Sequence, residues 1–456
     1  MRLNYFILPV AAVVALGCGA RSELLPSDLV QSGTGGSAGD SSSSGPGGST
    51  GSTSTTSSTN LPKCGALQID GQALTPELSF PGLDQASPWV VPTASDGNSV
   101  ALAYYEDIFF SSPYLQMGSV AIEPWGVWPK SLGSTAPHLL TSGFVAGNDE
   151  KGRFSLLAPD DPNLDGMVAW SAPAGMGGAE GQFFPDMGAG LPMFVAHSGD
   201  WYLTAFQVGI GGGLAHVHMA RVAIGATKNS IYPSAGCGIN AAHAGAAVPL
   251  ENGFLAAFSN GQPYGSCLTD QFAPTLPSRI QVVNFSNSEE LMMGKLQFEL
   301  EEEGTYIYQV KLAKGAGANW VAWERVGLDP QVERRIQYTR LDSQGLPFNG
   351  KVTEVKMGII GTQFAIASLG DVIALSTVVE VPDEGWQMAT FLLDDSGNIL
   401  SQVGWGAEPG FDFSTSVSSL GSPTGDKLVV AWGESWAANN DDQRVRIARI
   451  ACINAP

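Results

Sequence analysis

The stretch Leu428-Val-Val-Ala431-Trp432 ends in an alanine followed by a large residue, and this short pattern recurs along the chain. We call each copy a key segment, and the first is Val100-Ala-Leu-Ala103-Tyr104. Pairs of Gly with Asp or Asn precede most copies, and such pairs favour tight hairpin turns because they tolerate positive φ. Neighbouring alanines are 36 to 66 residues apart, which is a spacing typical of repeat proteins. The remaining copies centre on Ala169, Ala205, Ala257, Ala322 and Ala374.

Each repeat is predicted to contain four β-strands, with the key segment as the second strand. Apolar residues occupy both faces of segments such as Leu428-Val-Val-Ala431-Trp432, which indicates strands buried on both sides. Sheets stacked around a closed ring bury such strands and leave no exposed edges. We therefore predict an all-β fold, a β-propeller. Seven blades are favoured, six and eight are the alternatives, and an N-terminal strand from Ala66 to Asp70 is expected to close the ring.

The first 17 residues have the features of a signal peptide. They combine a positive charge at Arg2 with an apolar run over residues 5–16 that is too short to span a bilayer. The tetrapeptide Ala15-Leu-Gly-Cys18 resembles the lipobox of bacterial lipoproteins. The resemblance implies that Cys18 becomes the lipidated N-terminus. It also implies retention in the outer membrane, facing the periplasm or the cell surface, because Gly19 follows in place of an aspartate. An ordinary secretory peptide is the alternative.

Composition divides the rest of the chain into two parts. Residues 33–59 are almost wholly Ser, Gly and Thr, so they cannot bury enough apolar surface to offset the entropy of ordering. We therefore expect a signal peptide over 1–17, a disordered tether over 18–62 and a β-propeller domain over 63–456.

Charge and cysteine content narrow the partners and the disulfides. The chain has 43 acidic and 22 basic residues, a net charge of −21. Nucleic-acid binding is disfavoured because it needs basic patches. Of the five cysteines, Cys18 is assigned to lipidation and four remain for disulfides. The predicted strand pairing at ring closure joins Cys64 to Cys452, and the predicted loop positions join Cys237 to Cys267.

One loop has the spacing of a calcium site. Asp161-Pro-Asn163-Leu-Asp165-Gly166 is a D-x-N-x-D-G motif, which places alternate oxygens around Ca²⁺. It resembles, in this one repeat, the FG-GAP loop of integrin-type propellers. Ala169 and Ala172 stand where further acidic ligands would be expected, so a plain Asp-Gly hairpin is the alternative. No other cofactor is expected.

The connections between second and third strands differ in length and chemistry, whereas the other turns are short and uniform. Binding residues concentrate in variable loops on a rigid scaffold. We therefore predict a functional rim of aromatic and acidic residues, namely Phe109, Phe110, Tyr264, Trp436, Glu324, Asp329, Asp383, Glu434 and Asp441.

These features favour a lipid-anchored cell-envelope module that binds a glycan, a peptide or a partner protein. No catalytic residue is assigned, and a binding role is preferred over an enzymatic one. The first alternative is a glycan-active hydrolase of the propeller type, because paired carboxylates at a rim are what glycoside hydrolysis uses. The second alternative is a scaffold for outer-membrane assembly.

Overall fold

The computed structural model divides the chain into two compact units, Met1–Ser58 and Thr59–Pro456, and the described residues all belong to the second. Side chains are described over 64–73 and in most of the described stretches from residue 194 onward. The described backbone covers residues 64–73, 87–95, 99–108, 111–121, 131–136, 145–148, 154–159, 167–172, 180–184, 192–199, 201–207, 215–221, 230–233, 242–260, 278–286, 294–315, 318–327, 334–356, 363–381, 385–407, 409–422, 425–436 and 443–454.

Twenty-eight strands occur among these residues, and they form antiparallel groups of four that we number as units one to seven. A short 3-10 helix, Phe348–Gly350, lies in unit five. The strands of units one to four are β2 (Ser87–Ser95), β3 (Ser99–Ile108), β4 (Ser111–Ala121) and β5 (Ser131–Ala136); β6 (Val145–Asn148), β7 (Phe154–Pro159), β8 (Met167–Ala172) and β9 (Glu180–Phe184); β10 (Pro192–Ser198), β11 (Trp201–Gln207), β12 (Ala215–Arg221) and β13 (Ser230–Pro233); β14 (Ala242–Leu250), β15 (Gly253–Asn260), β16 (Ser278–Ser286) and β17 (Lys295–Glu302). Those of units five to seven are β18 (Thr305–Ala313), β19 (Asn319–Gly327), β20 (Arg335–Leu341) and β21 (Thr353–Glu354); β22 (Phe364–Leu369), β23 (Val372–Val381), β24 (Gly385–Leu393) and β25 (Ile399–Gly406); β26 (Phe411–Gly421), β27 (Lys427–Trp436) and β28 (Gln443–Asn454), with β1 (Cys64–Ile69) as the fourth strand of unit seven.

The first strands of the units line the inside of a closed ring. Each contacts the first strand of the next unit, and β26 of unit seven contacts β2 of unit one. This arrangement of radial four-stranded sheets confirms the predicted β-propeller. Units three and four share one sheet through a single bridge between Ala215 and Ala242, so the number of blades stays a prediction.

The N-terminal strand closes the ring, as the sequence predicts. β1 pairs antiparallel with β28, with Leu67 opposite Cys452. The disulfide between Cys64 and Cys452 is present, with 5.4 Å between the two Cα atoms and 388 residues between the cysteines in sequence. The predicted partners Cys237 and Cys267 lie outside the described residues.

Unit two departs from the predicted strand assignment. In the other six units the key segment is the second strand, but Ala169 lies in β8, the third strand of its unit. The second strand is β7, which carries Ala158. This corrects the spacing, since Ala103, Ala158 and Ala205 are 55 and 47 residues apart rather than 66 and 36. The calcium-like motif therefore falls in a second-to-third connection and not in a first turn.

The core lies between neighbouring sheets. Trp323 of β19 packs against Leu255 and Ala257 of unit four, whereas Ala322 belongs to the cluster shared with Phe364 of unit six. Successive side chains of a strand point to opposite faces, so the alanine and the aromatic residue fill different interfaces. Each fully buried large apolar side chain stabilises the fold by roughly 1.5–3 kcal/mol. Within the described stretches, no helix is both long and apolar enough to cross a membrane.

Candidate functional site

Connections between second and third strands lie at one end of the ring, and residues 328–333, 382–384 and 437–442 belong to three of them. We call this end the rim. Two of the predicted rim acids, Glu324 and Glu434, have described side chains, and both lie inside a second strand rather than in a loop.

Glu324 is a buried carboxylate near the rim end of β19. Its side chain is 2% exposed, and its Oε1 lies 2.5 Å from Nη2 of Arg334, which precedes β20. Gln309, the residue directly opposite on β18, donates a hydrogen bond from Nε2 to Glu324 Oε2 over 3.2 Å. Neighbouring groups therefore hold both carboxylate oxygens in place.

The environment of Glu324 favours its protonated form. Burial raises the pKa of the Glu324 carboxyl, and this effect outweighs the opposing charge and hydrogen bonds of Arg334 and Gln309. A carboxyl group with a raised pKa, positioned by fixed partners, is what general acid catalysis uses. The geometry thus suits Glu324 to holding and delivering a proton near neutral pH.

Lys311 adds a second perturbed group on the same face of unit five. It lies opposite Ala322 on β18 and two residues from Gln309, so alternation places Gln309 and Lys311 on one face. No hydrogen bond or ion pair to Lys311 occurs among the described residues, and burial lowers the pKa of its ammonium group. An amine in this setting can accept a hydrogen bond in its neutral form or bind an anion when charged.

Glu434 has a different environment, although its position in the repeat is similar. Its side chain is fully buried in β27. Trp432 donates a hydrogen bond from Nε1 to Glu434 Oε1 over 3.0 Å, and Nη1 of Arg446 lies 3.8 Å from Oε2. The prediction that Glu434 lies exposed on the rim is therefore wrong, because its carboxylate is enclosed between a tryptophan and an arginine.

The structure brings only part of the predicted rim into view. Trp436 is the last residue of β27. Within the described part of the chain, no group of three or more His, Cys, Asp or Glu side chains could hold a metal ion. The remaining predicted site residues lie outside the described residues, namely Cys18, Phe109, Phe110, Asp161, Asn163, Asp165, Tyr264, Asp329, Asp383 and Asp441.

Sequence reasoning missed Gln309, Lys311 and Arg334. Gln309 and Lys311 alternate with apolar residues in the first strand of the unit, where polar residues facing a neighbouring sheet are unusual. That break in the apolar pattern was the available signal. Arg334 carried none, because its pairing with Glu324 depends on how the preceding connection folds.

No protein-family model and no curated protein matches the chain. Among solved structures, a protein of unknown function from Dyadobacter fermentans has 13% identity and a TM-score of 0.47, covering 85% of this chain and 100% of its own. An α-L-arabinofuranosidase from Fusarium graminearum has 9% identity and a TM-score of 0.46, covering 84% and 98%. The endosialidase of phage phi92 has 10% identity and a TM-score of 0.45, covering 85% and 70%. At these scores the likenesses assign no activity to this chain.

Proposed function

We propose that this β-propeller is a glycan-active hydrolase with its active site at the rim of unit five. The observation that carries the proposal is Glu324, a positioned, buried carboxyl group whose burial raises its pKa. Glycoside hydrolysis needs one carboxylic acid that keeps its proton and a second that is ionised. Glu324 meets the first requirement.

In this proposal Glu324 donates its proton to the glycosidic oxygen as the bond to the sugar breaks. The second carboxylate comes from the acids of the neighbouring connections, Asp329, Asp383 or Asp441, and activates a water molecule or attacks the sugar carbon. The proton is returned to Glu324 when water completes the reaction. Arg334 orients the Glu324 carboxyl and favours its anionic form after the proton has left.

We also propose that the enzyme is held at the outer membrane through lipid on Cys18. The lipobox-like Ala15-Leu-Gly-Cys18 supports this anchor, and the Ser, Gly and Thr tether would let the propeller reach extended substrates. Replacing Cys18 with serine should release the protein from the membrane fraction. Membrane retention of the Cys18→Ser variant would contradict the anchor without bearing on the hydrolase.

The hydrolase proposal is tested by measuring reducing-sugar release from a panel of neutral and acidic polysaccharides. Glu324→Gln keeps the size of the side chain but removes the transferable proton, so the rate should fall by about 100-fold or more. Glu354→Gln is the matched control, since Glu354 is an arginine-paired glutamate in the outermost strand of the same unit. The control should retain the wild-type rate. Equal melting temperatures of the variants would show that the loss is not unfolding.

A glycan-binding module without catalysis is the second candidate. It is favoured by the arginine pairing of the described rim acids, including Glu301 of unit four, which lies 2.7 Å from Arg279. Binding isotherms on the same panel separate the two candidates. Glycan binding by wild type and Glu324→Gln with no sugar release by either would reject the hydrolase and support the binding module.

A further inference from the structure

A pocket of about 40 Å³ lies at the opposite end of unit five from Glu324. Trp320 and Arg340, which face each other across β19 and β20, form one wall. Phe348 and Lys351 of the third-to-fourth connection and Asp395 of the corresponding hairpin in unit six form the rest. The pocket therefore lies between two neighbouring units, on the end of the ring where the sequence predicts only structural turns.

Arg340 is positioned by aromatic rings but is not paired with an acid. Its Cζ lies 5.9 Å from the ring centroid of Trp320 and 5.0 Å from that of Phe348. Stacking of this kind orients the planar guanidinium group. No hydrogen bond or ion pair to Arg340 occurs in the described part of the chain, and the buried Nε1–H of Trp320 has no acceptor there. The wall thus holds oriented donors that are not satisfied.

Unit seven shows what the fold places beside an arginine at this position. Arg449 faces Val429, which lies two residues before the key alanine, as Trp320 does in unit five. Asp70, which follows the fourth strand β1, accepts from Arg449 Nε with 2.6 Å between Oδ2 and Nε. In unit seven this site is therefore an ion pair with an internal carboxylate.

The fourth strand of unit five supplies a cation at the corresponding place. Thr353 pairs with Tyr338, and counting two residues along both strands places Lys351 opposite Arg340. Lys351 Nζ donates to the backbone oxygen of Asp395. The pocket thus has two cations, Arg340 and Lys351, against the single carboxylate of Asp395, in a chain with a net charge of −21.

We propose that this pocket, the Arg340 pocket, binds the carboxylate group of an acidic sugar. The position that Asp70 fills in unit seven is left for an external carboxylate in unit five, and the guanidinium fork matches a carboxylate bidentately. A volume of about 40 Å³ admits a carboxylate but not a sugar ring. The ring lies outside, against Phe348, which is 53% exposed. The site is separate from the proposed active site and does not depend on it.

The proposal is tested by calorimetric titration of the full chain with glucuronate, with glucose as the neutral counterpart. Glucuronate should bind saturably, and glucose should not bind. Arg340→Gln should weaken glucuronate binding at least tenfold, because a charge-assisted contact is lost. Arg335→Gln is the matched control, since Arg335 lies in the same strand but pairs with Glu354, and it should leave binding unchanged.

Two further variants test the assignment within the pocket. Lys351→Asp gives Arg340 an internal carboxylate, as Asp70 does for Arg449, and should abolish glucuronate binding while the melting temperature stays equal or rises. Phe348→Ala should weaken glucuronate binding but leave acetate binding unchanged, because acetate has no ring to stack.

Specific outcomes would overturn the proposal. Absence of glucuronate binding to the wild type, equal binding of glucose, or undiminished binding by Arg340→Gln would each reject the site. Equal weakening of acetate and glucuronate by Phe348→Ala would reject the acidic sugar as the ligand. Sugar release in the hydrolase assay should be unaffected by Arg340→Gln on neutral polysaccharides, so failure here is distinguishable from failure of the proposed activity.

Discussion

Units five and seven carry nearly the same segment with one difference. Glu324 follows Trp323 directly, whereas Gly433 separates Glu434 from Trp432. Because side chains alternate along a strand, the extra residue moves the glutamate to the other face. Glu434 therefore lies on the face of its tryptophan and accepts its indole hydrogen, whereas the Trp323 indole donates to Gln337 Oε1 over 2.9 Å.

The difference gives two similar glutamates different roles. Glu434 is locked into the interface between units six and seven with Trp432 and Arg446. Glu324 faces unit six from the other side, near Gln309 and Lys311, and its arginine partner is 39% exposed. One inserted glycine thus separates a structural acid from a candidate catalytic acid. The predictions below test this contrast.

The largest effect is expected from the closure of unit seven, whose fourth strand comes from the other end of the domain. The double variant Cys64→Ser/Cys452→Ser should lower the free energy of unfolding by up to about 5 kcal/mol, because the disulfide closes a very long loop. Urea denaturation of variant and wild type measures the change. A loss below about 1 kcal/mol would show that strand pairing alone closes the ring.

The next effect concerns the two glutamates directly. Glu434→Gln should destabilise the protein by about 3 kcal/mol, since it leaves the buried Arg446 without its counter-charge. Glu324→Gln should cost less, because water can solvate the half-exposed Arg334. Urea denaturation of both variants compares them. Equal losses would contradict the division into structural and catalytic acids.

A smaller effect is expected at Lys311, which lies opposite the key alanine of unit five where unit seven has Ser418. Lys311→Met should raise the free energy of unfolding at neutral pH by about 1 kcal/mol, because it removes a buried charge without a partner. The gain should shrink at alkaline pH as the wild-type lysine loses its proton in both states. Lys295→Met, at an exposed lysine, is the control and should change little.

The smallest effect is a pH dependence from Glu324. Its folded-state pKa is raised above the usual value, so protonation favours the folded state. Stability from this group is full below the usual glutamate pKa and falls as pH rises toward the raised pKa. Glu324→Gln should flatten that decline in melting temperature, although Glu302, whose pKa burial also raises, leaves a residual slope. A decline identical in wild type and variant would show that Glu324 does not titrate in this range.

The fold was largely predictable, and the site was not. The key segments indicated strands buried on both sides, and the positions of Cys64 and Cys452 indicated the closing pair. The prediction failed in unit two because Ala169 and Ala158 both fit the pattern, and only strand pairing distinguishes them. The rim prediction failed for Glu434 because its exposure depends on packing between units six and seven.

The sequence by itself determined the all-β class, the repeat, the turn positions and the closing disulfide, because these depend on local alternation and on the order of segments along the chain. Only the tertiary structure decided which acids are buried, which arginine each acid meets, and that Arg340 faces Lys351 where Arg449 meets Asp70. Those contacts join strands from different units, and the pKa of Glu324 follows from desolvation by residues distant in sequence.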